Sequence, residues 1–305
     1  MHFRKLDLNL LVALNSLLKT RSVTTTAEEL ALSPSSVSSA LSRLREYFDD
    51  DLLTKVGRKM EITPLGESLK EPIRDILNRI DSTIILKPDF QPSKTDRTFS
   101  LFISEYTQML LMPEVLQLAH KQSSTAKFNL LRQFNSPHKA LHRGEADMLI
   151  IPESFVSQEN PYEKLFSETF VCLMCKNSTL AKSELTAEMY KNARHSVMRL
   201  ADDIIDHIES ELTQKHNVVR DVALSTYSFA SLPSLLLNTN NIATVHSKLA
   251  KKISHFFPLA VKPVPFDIGP MNLCMQWHNY RSSDPGILWL RKLLAQSVKE
   301  IQKKW

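Results

Sequence analysis

The sequence predicts an α/β molecule carrying an all-α head, and three stretches make that prediction. Residues 22–48 read as two short helices about a tight turn. Residues 64–86 read as one long amphipathic helix. Beyond a proline-rich break, apolar runs of strand length alternate with helical stretches to the end of the chain, the pattern of layered α/β sheets. At 305 residues there is room for two or more domains, and an apolar fraction of 43% supports substantial cores.

The head is justified element by element. Asp7 can cap a helix running to about Lys19, with Leu8, Leu11, Val12, Leu14 and Leu18 on its buried side. Ser22 can cap the next, which carries Val23, Ala27 and Leu30 at helical spacing. A break at Leu32 follows, then Ser33 and Pro34 as a second cap and a first-turn proline. The third helix places Val37, Leu41, Leu44 and Phe48 on one face, and Ser35, Ser36, Ser38, Ser39, Ser42 and Arg43 over much of the rest. Serine is a poor helix former, so this face is not there for propensity. It suits close approach by a ligand, since hydroxyls can hydrogen-bond to phosphates or to base edges in a major groove. Taken alone, the same stretch also describes an ordinary helical hairpin inside a core.

After the acidic cluster Asp49, Asp50 and Asp51, Leu52, Leu53 and Val56 precede Gly57, and Met60 and Ile62 follow it. This predicts a short hairpin with Arg58 and Lys59 near its tip, a wing that would lay cations along a nucleic-acid backbone. Thr63 and Pro64 then start the long helix, where Leu65, Leu69, Ile73, Ile76, Leu77, Ile80 and Ile84 form one apolar stripe and Pro72 lies inside. Between a small domain and a large one, such a helix has little of its own domain to pack on, so pairing with a second subunit is expected. Lys87 to Arg97 reads as a linker.

In the body, TFSLFIS, KFNLLRQF, ADMLII, TFVCLMC, HSVMRL, residues 218–224, NIATVH, LAVKPVPF and NLCMQWH read as strands. Helices are expected at MLLMPEVLQLAHK, 185–192, SLPSLLLNTN, SKLAKKI and Asp284 to Ser297. A mainly parallel sheet in two small lobes follows, with clefts at the carboxyl ends of the strands.

Composition excludes more than it selects. The formal charge of +5 is mild, and basic and acidic residues nearly balance over the first hundred positions, so any nucleic-acid contact must rest on local placement. Cys172, Cys175 and Cys274 make no disulfide framework, and the CxxC lies in a strand-like run that sends its two thiols to opposite faces. No HExxH, P-loop, GxSxG or GxGxxG occurs, and five glycines leave little for phosphate-cradling loops. His138 and His142 lack a third ligand nearby, and nothing fixes a geometry around His207 and His216. Catalytic residues, metals and cofactors are therefore expected to be none. No apolar stretch reaches membrane-spanning length and no signal peptide is evident, so no membrane partner and a cytoplasmic location are expected. Candidate small-molecule contacts are positional, at points where strands end and helices start: Ser104, Glu105, Tyr106 and Thr107; Phe134 and Asn135; Arg199; and Tyr227 with Ser228.

With these residues in view, the chain resembles the LysR-type transcriptional regulators. The densest likeness runs from Leu6 to Pro64, through LDLNLLVAL and SVTTTAEELALSPSSVSSALSRLREYFDDDLLTKVGRKMEITPLG, and is nearest the branch of the nodulation regulators. LHRGEADMLI, NNIATVHSKLA and MQWHNYRSSDPGILWLRKLL carry it through the body.

The resemblance implies a winged helix-turn-helix over 1–64, a dimerisation helix over 65–86, a hinge over 87–97 and an effector-binding regulatory domain over 98–305. That domain would be periplasmic-binding-protein-like, with lobe I at 98–168 plus 266–300 and lobe II at 169–265. Helix Ser33–Phe48 would read promoter DNA with Ser33, Ser35, Ser36, Ser38, Ser39, Ser42, Arg43 and Arg45, beside a wing from Thr54 to Thr63 bearing Lys55, Arg58 and Lys59. A homodimer or homotetramer would bend the promoter as activator or repressor, respond to a small inducer between the lobes, and contact RNA polymerase. Two departures stand out. Ser33-Pro34-Ser35 lacks the glutamine the family commonly places there, and Asn240-Asn241 replaces common glycine. Two other readings stay open at this point: an inducer-independent architectural regulator, and a cytoplasmic α/β enzyme.

Overall fold

The computed structural model describes residues 6–57, 59–84, 90–132, 137–199 and 207–304. The chain divides into two compact units, a head within residues 1–87 and a body made of nearly all the rest.

The head is α1 (Asn9–Thr20), α2 (Val23–Leu30), α3 (Pro34–Phe48), the hairpin β1 (Leu53–Val56) and β2 (Lys59–Ile62), and α4 (Pro64–Ile84). Its helices start and stop where the sequence supplies caps. Ser22 accepts the amide of Thr25 at 3.2 Å, and Ser33 accepts that of Ser36 at 3.1 Å with Pro34 in the first turn. Arg21, Ala31 and Asp49 close the three helices in left-handed conformations. Asp7 does its capping one position early, accepting the amide of Asn9 at 3.0 Å while Leu8 takes the N-cap position.

The core joins Leu10, Leu11, Leu14, Leu17 and Leu18 of α1 to Ala27, Val37, Leu41, Leu44, Leu52, Leu53 and Ile73. The expected burial of Leu8 and Val12 is corrected: both are exposed, because the buried stripe of α1 runs through positions 10, 14, 17 and 18 and leaves 8 and 12 to one side. Asp50 staples the start of the wing, its carboxylate taking the Leu52 amide and the Thr63 hydroxyl, each at 2.6 Å. Thr63 in turn caps α4 through the Gly66 amide at 3.0 Å. A side chain at Gly66 would meet Ile62 and the Leu52 carbonyl at 2.7 Å, so the close approach of α4 to the wing needs glycine there.

The body holds two five-stranded sheets. Its elements are β3 (Thr98–Ile103), α5 (Glu105–Lys121), β4 (Lys127–Leu131), α6 (Pro137–His142), β5 (Met148–Pro152), β6 (Tyr162–Glu168), β7 (Phe170–Cys175), α7 (Ala187–Asn192) and β8 (Arg194–Met198). Then follow α8 (His207–His216), β9 (Asp221–Thr226), α9 (Leu232–Leu236), β10 (Ile242–His246), α10 (Ser247–Ser254), β11 (Leu259–Pro263), β12 (Met271–Gln276) and α11 (Pro285–Lys304). One sheet runs β4-β3-β5-β12-β6 and the other β11-β7-β10-β8-β9. The chain leaves the first sheet after Glu168 and returns to it at Met271, so it crosses twice between the lobes.

Those crossings correct the expectation of a mainly parallel sheet. Within each lobe β3 pairs parallel with β4 and β5, and β8 with β9 and β10. Strands adjoining a crossing run the other way: β12 lies antiparallel to β5 and β6, and β7 to β10 and β11. A strand that enters from the other lobe is free of the right-handed helical return that links parallel neighbours, so it can be inserted antiparallel between two strands. Strand β6 and helix α8 add to the elements expected from the sequence, and α11 extends beyond Ser297, its buried stripe continuing through Val298 and Ile301.

Candidate nucleic-acid interface and interlobe site

Helix α3 buries Val37, Leu41 and Leu44 and exposes Ser35, Ser36, Ser38, Ser39, Ser42, Arg43 and Glu46 on the opposite side. Ser33 is exposed at the helix start, its hydroxyl shared between those of Ser35 and Ser36 at 2.8 Å each. At 100° per residue, Ser35, Ser39, Ser42 and Glu46 form one strip along the middle of the exposed face, with Arg43 on its flank. Glu46 was not singled out in the sequence, and its spacing of eleven from Ser35 was the available signal. Among the described residues Arg43 makes an exposed pair with Asp7 at 3.7 Å.

Arg45 differs. Its guanidinium donates to the carbonyls of Asp51 at 2.8 Å and Leu53 at 2.5 Å, which fastens the end of α3 to the first strand of the wing. In the hairpin, Leu53 faces Ile62, Lys55 faces Met60 and Val56 faces Lys59, and both lysines are exposed. Gly57 turns the tip with φ of 64°. Arg58 lies outside the described residues.

The apolar stripe of α4 splits. Ile73 is buried, and Leu69 and Leu77 pack on the head's own core. Leu65 and Ile80 are half-buried and Ile76 is 41% exposed. The expectation that this helix lacks packing in its own domain is therefore corrected, because α1 supplies a partner along one side. The side chain of Ile84 lies outside the described residues.

Between the lobes, the structure brings together Ser104, Glu105, Tyr106 and Ser228. Ser104 caps α5 through the amide of Thr107 at 3.1 Å, and the Thr107 side chain is fully buried against the Ser104 hydroxyl at 2.8 Å. Glu105 reaches the other lobe, where its carboxylate accepts the Ser228 hydroxyl at 2.9 Å and the Phe229 amide. Tyr106 is buried, stacks on His246 with ring centroids 3.7 Å apart, and donates its phenol to Glu168. Burial, then the negative charge of Glu168 and the bond to it, push that phenol well above its ordinary pKa, so it stays a neutral donor.

Glu168 itself is wholly buried at the first crossing and also accepts the Ser247 hydroxyl, the Thr169 amide at 2.9 Å and, at 3.4 Å, the Lys248 ammonium. Glu168, Phe229, His246, Ser247 and Lys248 were not identified in the sequence. The signal that could have found them is an acid between the apolar Phe166 and Phe170, where an inward-facing charge demands partners. Arg199 is exposed, its amide bonded to the Thr226 carbonyl at 2.8 Å, and Tyr227 is 77% exposed. Phe134 and Asn135 lie outside the described residues.

Cys172 and Cys175 are free and buried, and burial pushes the Cys172 thiol up to about 12, far from a reactive thiolate. Among the described residues no group of three or more His, Cys, Asp or Glu side chains is placed to hold a metal, and no helix is long and apolar enough to cross a membrane.

Comparison with known proteins decides what this arrangement belongs to. Residues 8–67 match the bacterial regulatory helix-turn-helix of the lysR family, and residues 93–299 match the LysR substrate binding domain. The chain belongs to the LysR family. Nodulation protein D 1 of Mesorhizobium japonicum is 33% identical over 298 residues, covering 98% of this chain and 95% of that protein. Nodulation protein D of Azorhizobium caulinodans is 34% identical over 301 residues, covering 99% and 96%.

A probable transcriptional regulator from Pseudomonas aeruginosa superposes with a TM-score of 0.66 at 26% identity over 95% of this chain and 97% of that one. A full-length OxyR variant from the same organism gives 0.71 at 16% identity over 98% and 96%, a likeness of fold alone. This LysR-type protein is thus a DNA-binding transcriptional regulator with a helix-turn-helix head and a two-lobed, periplasmic-binding-protein-like effector domain. Its family and relatives are regulators and not enzymes.

Proposed function

We propose that this regulator reads a promoter with the Ser35–Ser39–Ser42 strip of α3 and that a small molecule between its lobes sets how it does so. The exposed face of α3 carries the reading: seven polar or charged residues stand opposite a buried apolar face, and they are exposed among the described residues of the head. Ser33, Ser36 and Ser38 lie beside the strip. Arg43, with Lys55, Arg58 and Lys59 of the wing, supplies phosphate contacts, and Arg45 serves the interface by holding the wing in place.

The domain plan is a head over 1–64, a pairing helix over 65–86, a hinge over 87–97 and an effector domain from 98. Within that domain, lobe I takes 98–168 with 266–300 and lobe II takes 169–265, as the membership of the two sheets supports. Subunits pair through α4 into dimers, and dimers into tetramers, so that two α3 helices enter successive major grooves of a partly palindromic site. The effector lies where Ser104, Glu105 and Ser228 meet, and a shift of the lobes alters the spacing of the heads and the bend of the promoter. The protein works in the cytoplasm beside RNA polymerase, with which it is inferred to make contact.

Selection of genomic fragments by the purified protein, followed by footprinting, tests the reading. A discrete protected site near a promoter, lost in a Ser35→Ala, Ser39→Ala, Arg43→Ala triple variant that still melts normally, is the expected result. Equal retention of fragments by that variant would remove α3 from the interface.

A further inference from the structure

We propose that the Ser228–Phe229 turn is a carboxylate-binding subsite that this chain fills with its own Glu105, and that Glu105 thereby excludes carboxylate effectors from the turn. The proposal rests on the reading that the effector binds between the lobes, and it names the chemistry such an effector lacks.

Glu105 is the first residue of α5 in one lobe, and Ser228 and Phe229 follow β9 in the other. One carboxylate oxygen takes the Ser228 hydroxyl at 2.9 Å and the other takes the Phe229 amide. Two donors on two oxygens is how proteins hold a free carboxylate, and bonds to an ionised acceptor are the stronger kind. The turn is built without help from Glu105. The Ser228 amide donates to Thr226 Oγ1 at 3.2 Å, the Ser231 hydroxyl donates to the Ser228 carbonyl at 3.0 Å, and the Ser231 amide reaches the Ser228 hydroxyl at 3.3 Å. The donors are therefore in place whether or not Glu105 is.

The occupant is also fixed from its own side. One turn along α5, the Met109 carbonyl accepts the ammonium of Lys252 from the other lobe at 2.8 Å. With α5 tied there, Glu105 reaches the turn from a fixed start. A guest carboxylate at the same donors would meet it as a like charge at contact distance in a half-buried site. A ligand that completes this cleft is uncharged at this end, or offers donors to Glu105.

Thermal unfolding of the full-length protein in sodium acetate and in sodium chloride at equal ionic strength tests the subsite. Any acid is favoured at the first turn of a helix, so a lower melting point for Glu105→Ala decides nothing by itself. The expected result is that acetate raises the melting temperature of Glu105→Ala above its value in chloride, that wild type shows no such gain, and that adding Ser228→Ala abolishes it. Glu105→Ser, which also empties the turn, serves in place of Glu105→Ala if the latter does not fold.

An equal acetate gain in wild type and variant, no gain in the variant, or a gain that survives loss of Ser228 overturns the proposal. The wider reading fails separately. If no small molecule changes the footprint, the effector role of the cleft falls, whatever acetate does. If acetate has no effect but an effector still changes the footprint, only the subsite falls.

Discussion

Arg43 and Arg45 stand two residues apart on α3 and have different partners. Among the described residues Arg43 meets an exposed carboxylate at 3.7 Å, a pair of little energetic worth, so its charge is available to a phosphate. Arg43→Ala should weaken operator binding about tenfold with the melting temperature unchanged, read by gel shift beside a thermal melt. Arg45→Ala should instead lower stability by about 1–3 kcal/mol, since two wing carbonyls lose a charged donor, and denaturant titration would show it. In the sequence the two arginines look alike. The difference depends on where Asp51 and Leu53 fall after a left-handed residue at Asp49, which no helical pattern encodes.

Another contrast lies at the start of α11. Burial works against the charge on Asp284, but the hydrogen bond and charge of Arg97 and the amides of Ile287 and Gly286 outweigh it and hold the carboxyl below the ordinary aspartate range. A lowered folded pKa means that the stabilisation is full above the unfolded value near 3.8 and is lost as pH falls through the folded one. Asp284→Asn should therefore destabilise the protein clearly at pH 7 and progressively less as the pH falls below about 4, measured as denaturation midpoints across pH. A gap between the two proteins that stays constant down to pH 2 would refute this account.

At the scale of elements, α4 and α5 show how a helix serves two masters. The apolar stripe of α4 was legible as helix and as buried surface, but not which part its own domain would take. The structure gives Leu69, Ile73 and Leu77 to the head and leaves Ile76 open. Ile73→Ala should cost about 2–4 kcal/mol of head stability. Ile76→Asp should leave the melting temperature nearly unchanged and shift sedimentation toward monomer. A dimer that persists in Ile76→Asp would move the pairing surface elsewhere.

In α5, Pro113 has no N–H for the carbonyl four residues earlier, which is that of Met109, and Lys252 supplies the missing donor from the other lobe. Lys252→Met should therefore destabilise by about 1–3 kcal/mol, and by less in a Pro113→Ala background where the helix satisfies Met109 itself. A double-mutant cycle with no coupling would separate the two residues. The proline was visible in the sequence, but its freed carbonyl pointed nowhere until the second lobe was present. For the same reason Ser104 and Ser228 were found by position, whereas Glu168 and His246, whose partners lie in other elements, were not.

At the scale of the whole molecule, the alternation of strands and helices announced two lobes, and the sheets keep that division. What the alternation could not show was direction. The strands beside each crossing are antiparallel, and local pattern is the same for a strand running either way. Strand β12 is placed between β5 and β6, so the first lobe's sheet is incomplete until the last tenth of the chain arrives.

That insertion sets an order of events at the ribosome. Once β6 has been made, roughly a hundred residues must still be synthesised before the strand that belongs beside it exists, a wait of about 5–20 s. During that interval the strands of the second lobe, β7 to β11, are delivered one after another and can pair, while β5 and β6 still present unpaired edges. The second lobe is thus the natural first folding unit, and the first lobe is a late, long-range closure of the slow kind. A nascent chain halted after Pro263 should show protease protection over the second lobe and cleavage in β5 and β6. Such a chain offers two open strand edges, which makes it a substrate for chaperones and a seed for aggregation that the finished protein is not.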